Sequence, residues 1–129
     1  MNFDLIIVDD DPDYIFFHVL LAKKSGLSED PITFEDGQEL IEYVSENNNE
    51  NLRNTLILLD LYMLRVDGWE VLDYLEKLNL PNKIKVIVIS SSVNMNDKTK
   101  SISYSSVIDY IEKPLLLNYL ENIKDQSIF

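Results

Sequence analysis

Cysteine is absent from the 129 residues, which excludes disulfide frameworks, thiolate metal sites and cysteine nucleophiles. Basic residues are few, 11 against 23 acidic ones, for a net charge of −12. A surface of that sign repels a phosphate backbone and an anionic bilayer leaflet, so neither nucleic acid nor membrane is an expected partner. No apolar run approaches the roughly 20 residues that a bilayer span needs. The N-terminus, Met1-Asn2-Phe3-Asp4, lacks the basic start and cleavage site of a secretory signal. The expected class is a soluble cytoplasmic protein.

What is present fits one globular domain over residues 1–129, with 46% hydrophobic and 26% charged residues. Apolar runs of strand length alternate with longer amphipathic stretches. Phe3 to Val8 reads as a strand that ends at Asp9, Asp10 and Asp11. Asp11-Pro12 reads as a helix cap followed by proline at the first helical position, and Gly26 as the end of that helix. Ile32-Thr33-Phe34 is a short strand, and Asp36-Gly37 leads into a helix carrying Leu40, Ile41 and Val44. Asn47 to Asn51 is a polar loop.

Thr55 to Leu59 reads as a third strand ending at Asp60. A helix from Trp69 to Leu78 follows, with Pro81 closing it. Ile84 to Ile89 is a fourth strand running into Ser90, Ser91 and Ser92. A weakly patterned polar helix spans Asn94 to Ser103. Ser106 to Ile111 is a fifth strand, and Leu115 to Lys124 a last helix. Strands alternating with helices in this way predict an α/β fold, a parallel sheet covered on both faces. Near-continuous apolar strands agree, because parallel strands are buried on both sides.

Ligands of such sheets bind at the carboxyl ends of the strands. The sequence sends Asp9, Asp10, Asp60, Ser90, Ser91 and Lys113 to that edge, while the strand interiors are almost wholly apolar. Two carboxylates at roughly 4 Å repel by about 4 kcal/mol at an effective dielectric of about 20. Three stay ionised together only beside a cation, or else their pKa values rise. Mg²⁺ suits them, since it takes one or two carboxylates and binds phosphate oxygens as well. With Lys113 to balance a second anion, the set suits phosphoryl transfer to Asp60, with Ser90 hydrogen-bonding the transferred group.

Each signal taken singly has a plainer reading. Aspartates at strand ends cap helices and make turns, serine runs form loops, and Lys113-Pro114 is an ordinary turn. Asp11 is read as a cap, which leaves Asp9 and Asp10 for the metal. His18 is read as a surface or half-buried helix residue without a role. Leu115 to Leu117 and the tyrosines at 62, 104, 110 and 119 are read mainly as packing. Their order and shared location, rather than any one residue, carry the functional reading.

Taken together, these residues resemble the receiver domain of two-component response regulators, over nearly the whole chain. The resemblance implies a doubly wound, flavodoxin-like sheet of order 2-1-3-4-5. It implies that Asp9 and Asp10 bind Mg²⁺ and that Asp60, in Leu58-Leu59-Asp60-Leu61-Tyr62-Met63, accepts the phosphoryl group. Tyr62 would offer its backbone carbonyl to the metal. Ser90, followed by the small Ser91, and Lys113 would contact the phosphoryl group. Ser90 and Tyr110 would form the switch, Tyr110 turning inward as Ser90 moves. The donor would be a histidine kinase or a histidine phosphotransfer protein, docking on the first helix.

Only fifteen residues follow Pro114, so no output domain is expected, and the output would be a downstream protein bound by the domain's own surface. Leu64 and Leu115 depart from the proline and phenylalanine common in the family. Large Tyr62 is expected to shield the phosphoryl bond. Two alternatives stand beside this reading. A haloacid-dehalogenase-like phosphohydrolase would use Asp9-Asp10-Asp11 and the strand ending at Ser90. It would lack an acidic motif after Lys113 and leave Asp60 and Asp67-Gly68 without work. A receiver-like module that binds partners without phosphorylation is the other.

Overall fold

The computed structural model describes residues 2–48 and 52–129. Ten elements alternate: β1 Asp4–Val8, α1 Pro12–Ser25, β2 Ile32–Phe34, α2 Gly37–Asn47, β3 Thr55–Leu59, α3 Gly68–Leu78, β4 Ile84–Ser90, α4 Met95–Ile102, β5 Val107–Glu112 and α5 Leu117–Asp125. The strands form one parallel sheet in the order β2-β1-β3-β4-β5. Of the asparagine-rich loop, residues 49–51 lie outside the described residues, and Asn47 closes α2.

Alternation along the strands sorts the core into two layers. Ile6, Val8, Ile57, Leu59, Val86 and Val88 face one side, where Leu40, Val44, Val71, Leu72 and Leu75 of α2 and α3 cover them. Leu5, Ile7, Leu56, Leu58, Ile87 and Ile89 face the other, beneath Leu21 and Ala22 of α1 and Leu120 and Ile123 of α5. Both faces of the central strands are therefore sealed, which is why β3 reads as five consecutive buried residues.

The helix ends follow local chemistry. Asp11, Asp36 and Asp67 cap α1, α2 and α3, each accepting from a backbone N–H in the first turn. Gly26 ends α1 with φ 79°, and Asn79 ends α3 with φ 57°, both left-handed. Boundaries differ from the sequence reading at the C-terminal end. The last strand starts at Val107 and continues through Glu112, and the last helix begins at Leu117 instead of Leu115. Leu115 is fully buried and packs into the core ahead of the helix, while Leu116 stays extended. The Lys113–Pro114 peptide is cis.

Candidate functional site

Parallel register decides which residues meet. Val8 lies opposite Leu59, and Leu59 opposite Val88. One step beyond those pairs, Asp9 and Asp60 stand side by side, joined where the Asp60 N–H donates to the Val8 carbonyl at 3.0 Å. Ser90 pairs with Glu112, and the Lys113 N–H donates to the Ser90 carbonyl at 2.9 Å. Four strand ends thus deliver the polar residues to one edge.

Asp9, Asp10 and Asp60 each present a carboxylate oxygen, and these atoms lie within 4.8 Å of one another. Lys113 Nζ reaches Asp9 Oδ2 at 2.9 Å and Asp60 Oδ1 at 3.7 Å, with all three side chains nearly inaccessible. Asp9 is held in place because its Oδ1 accepts from the Asp11 N–H at 3.0 Å. Asp10 is the exposed member of the trio. Burial, then the neighbouring charge of Asp9, pushes the Asp60 carboxyl up to about 7; Lys113 pulls it down, Asp10 pushes it up again, and the Tyr62 N–H pulls it down. One ammonium does not neutralise three carboxylates. A donor set of clustered hard oxygens, one of them open to solvent, fits Mg²⁺.

The backbone after Asp60 is packed tightly against the helix that follows. A Cβ on Gly68 would lie 2.5 Å from the Asp60 carbonyl oxygen and 2.6 Å from Leu61 Cα, and the Gly68 N–H donates to the Leu61 carbonyl at 2.7 Å. Asp67-Gly68 therefore combines a cap with a close approach that only glycine allows. This small residue keeps α3 against the end of β3.

Ser90 is fully buried, and its Oγ accepts from the Ser92 N–H at 3.1 Å. Ser91 is exposed. Tyr110 is 7% exposed, and its hydroxyl donates to the Ser92 carbonyl at 2.9 Å, so the inward position is the one observed. Tyr62 is half exposed, and Leu64 almost wholly exposed.

Three side chains at the site were given no role from sequence. Lys113 Nζ lies over the Tyr14 ring, 3.9 Å from its centroid, a cation–π contact that steadies the ammonium. Tyr14 in turn packs against His18, ring centroids 5.8 Å apart. His18 is not a surface or half-buried residue: it is 2% exposed and its Nε2 has no hydrogen-bond partner among the described residues. Burial holds its pKa down to about 4, with Asp9 pulling it up and Lys113 pushing it down. The spacing of four residues between Tyr14 and His18, on a helix opening directly after the acidic pair, is the signal that could have shown them. Asp97 is the third, and it accepts from Tyr62.

The sequence model of the response regulator receiver domain matches residues 5–124. The chain belongs to that family. Receiver domains are phospho-acceptor signalling modules of two-component systems, not conventional enzymes, and the acidic trio is typical of the receiver Mg²⁺ site. The phosphohydrolase alternative falls with this membership. A probable methanogenesis regulatory protein, FilR2, of Methanothrix harundinacea is 26% identical over 95% of this chain and 82% of its own length. Among solved structures, a response regulator receiver protein from Dyadobacter fermentans is 29% identical, covering 94% of each chain with a TM-score of 0.79. A two-component response regulator from Cytophaga hutchinsonii is 26% identical over 95% of this chain and 96% of its own, with a TM-score of 0.78. Among the described residues no helix is long and apolar enough to cross a membrane.

Proposed function

We propose that Asp60 of this receiver accepts a phosphoryl group from phosphohistidine on a kinase or phosphotransfer protein, in the presence of Mg²⁺, and that the domain signals through its own protein-binding face. A carboxylate oxygen of Asp60 bonds to phosphorus, the phosphorus–nitrogen bond breaks, and the imidazole leaves with the electron pair. A bound Mg²⁺ would keep the carboxylates ionised together and neutralise phosphoryl oxygens. Asp9, Asp10 and Asp60, with the Tyr62 carbonyl, would hold it. Lys113 pairs with the phosphoryl oxygens on the other side, and Ser90 and Ser91 complete the contacts.

Phosphorylation adds about −1.5 to −2 charges beside Asp60. The response assigned to it joins Ser90 to a phosphoryl oxygen and alters the segment between β4 and α4 that Tyr110 contacts through Ser92. Reversing a 1:99 population takes a differential of about 5.5 kcal/mol. Met95, Ile102, Ile108 and Leu116 expose apolar surface on α4, β5 and the start of α5, the face offered to a downstream protein. Phe16 and Leu20 expose apolar surface on α1, the face offered to the phosphohistidine donor. The net charge of −12 argues against nucleic acid and membrane as targets. A cytoplasmic location and action as a single domain over residues 1–129 belong to the same proposal.

The observation that supports this reading is the shared pocket of Asp9, Asp10, Asp60 and Lys113. Incubation with Mg²⁺ and acetyl phosphate, followed by intact-mass measurement, tests it. A one-phosphoryl adduct on wild type, abolished in Asp60→Ala and by chelation, is the expected result. Wild type that gains no mass under these conditions would favour the receiver-like module that binds without phosphorylation.

A further inference from the structure

Tyr62 stands two residues after Asp60, and its hydroxyl donates to Asp97 Oδ2 at 2.5 Å, in the first turn of α4. The same oxygen accepts from Ser92 Oγ at 2.9 Å, and that hydroxyl accepts from the Asn94 N–H at 3.2 Å. Ser92 is tied back to the site through its backbone, its N–H on Ser90 Oγ and its carbonyl under the Tyr110 hydroxyl. A single carboxylate outside the acidic pocket thus joins the loop carrying Asp60, the serines after β4 and the opening turn of α4.

Helix capping does not account for these contacts. Asn94 already caps α4, its side chain accepting from the Asn96 N–H at 2.8 Å. An acid in the first turn favours the helix dipole, but that effect calls for no tyrosine partner. Nor is Tyr62 there to fill the core, since it is 49% exposed. What its ring does is bridge the loops that follow β3 and β4, the two strands ending at Asp60 and Ser90.

We infer that Asp97 is a positioning residue that latches Tyr62 across this gap, screening a phosphorylated Asp60 from water and linking the lifetime of the phosphoryl group to the seating of α4. The inference rests on Asp60 being the acceptor. The step it slows is hydrolysis. Water oxygen bonds to phosphorus, the bond from phosphorus to the Asp60 oxygen breaks, and its electron pair restores the carboxylate. Inorganic phosphate leaves carrying the proton lost by water. A ring pinned between two loops restricts the space that the attacking water needs, and a ring released from Asp97 swings with its own rotamers.

The test loads wild type with acetyl phosphate and Mg²⁺, removes the donor by desalting, and follows the adduct by intact mass. Tyr62→Phe, which keeps the ring and loses the hydroxyl, and Asp97→Ala each shorten the half-life about three- to tenfold, the worth of one ordinary solvent-exposed hydrogen bond. The double variant decays no faster than the faster single one, because both remove the same bond. Asp97→Asn, whose amide oxygen still accepts from Tyr62, stays within about twofold of wild type. Unchanged half-lives in Tyr62→Phe and Asp97→Ala, or effects that multiply in the double variant, overturn the latch while leaving the acceptor reading intact. Wild type that never forms an adduct overturns the acceptor reading, and the latch with it.

Discussion

His18 shows most clearly what a single residue contributes beyond its type. A buried imidazole whose Nε2 lacks a partner among the described residues is tolerated because it is neutral, and burial keeps it so by lowering its pKa from 6.5 to about 4. Asp9 and Lys113 act on it from the strand ends in opposite senses, and the rings of Tyr14 and Phe17 flank it on its own helix. A depressed histidine pKa means that the unfolded chain takes up the proton first. The stability His18 provides is therefore whole above about 6.5 and is lost as pH falls towards 4, by up to about 3 kcal/mol at 1.4 kcal/mol per unit. Urea unfolding across that window should show His18→Gln gaining stability relative to wild type as pH falls, because the slope from Asp60 is then left unopposed. An unchanged slope in the variant would contradict the account.

At the scale of elements, α4 differs from its neighbours. Ser101 is its one buried residue, whereas α3 buries Val71, Leu72 and Leu75. Polar contacts along and just after the helix seat it instead. The Tyr104 hydroxyl donates to Asp73 Oδ1 at 2.6 Å, the Ser105 N–H and hydroxyl donate to Glu76 Oε2, and Lys100 sits over the Trp69 ring at 4.3 Å. Exposed bonds of this kind are each worth about 1 kcal/mol or less, so α4 can leave the sheet without opening the core. Hydrogen exchange should find the amides of Met95–Ile102 the least protected among the five helices. Protection in α4 equal to that in α3 would disprove this. Its weak apolar pattern was visible in the sequence, but the tyrosine and lysine contacts that seat it were not, because each partner comes from α3 or from the loops.

For the whole molecule, pH dependence is a contest between two buried groups. Asp60 has its pKa raised to about 7, so the native state holds its proton longer than the unfolded chain does. Its contribution is full below the ordinary carboxylate value of 3.8 and is lost as pH rises through about 7. His18 loses stability in the opposite direction over much of the same range, so the two slopes largely cancel in the wild type. Asp60→Asn removes one of them. At pH 8 in chelator the variant should be more stable than wild type by a few kcal/mol, about 1.4 for each unit of the lost shift, because three carboxylates no longer share one lysine. Added Mg²⁺ should stabilise wild type more than the variant, since binding to the folded state alone raises stability. Denaturant titrations with and without Mg²⁺ measure both effects, and a variant less stable than wild type in chelator would refute them.

Sequence by itself determined the alternation of elements, the two-sided burial of the strands and the identity of Asp9, Asp10, Asp60, Ser90 and Lys113 as residues sent to one edge. Those properties are local: they follow from apolar periodicity, capping chemistry and the turn that ends each strand. Tertiary structure alone decided which of the three N-terminal aspartates faces Lys113, that Tyr14 cradles its ammonium, that His18 is sealed, and that Asp97 meets Tyr62 from 35 positions away. Strand register and helix rotation set those meetings, and both arise only when the two apolar layers close over the sheet.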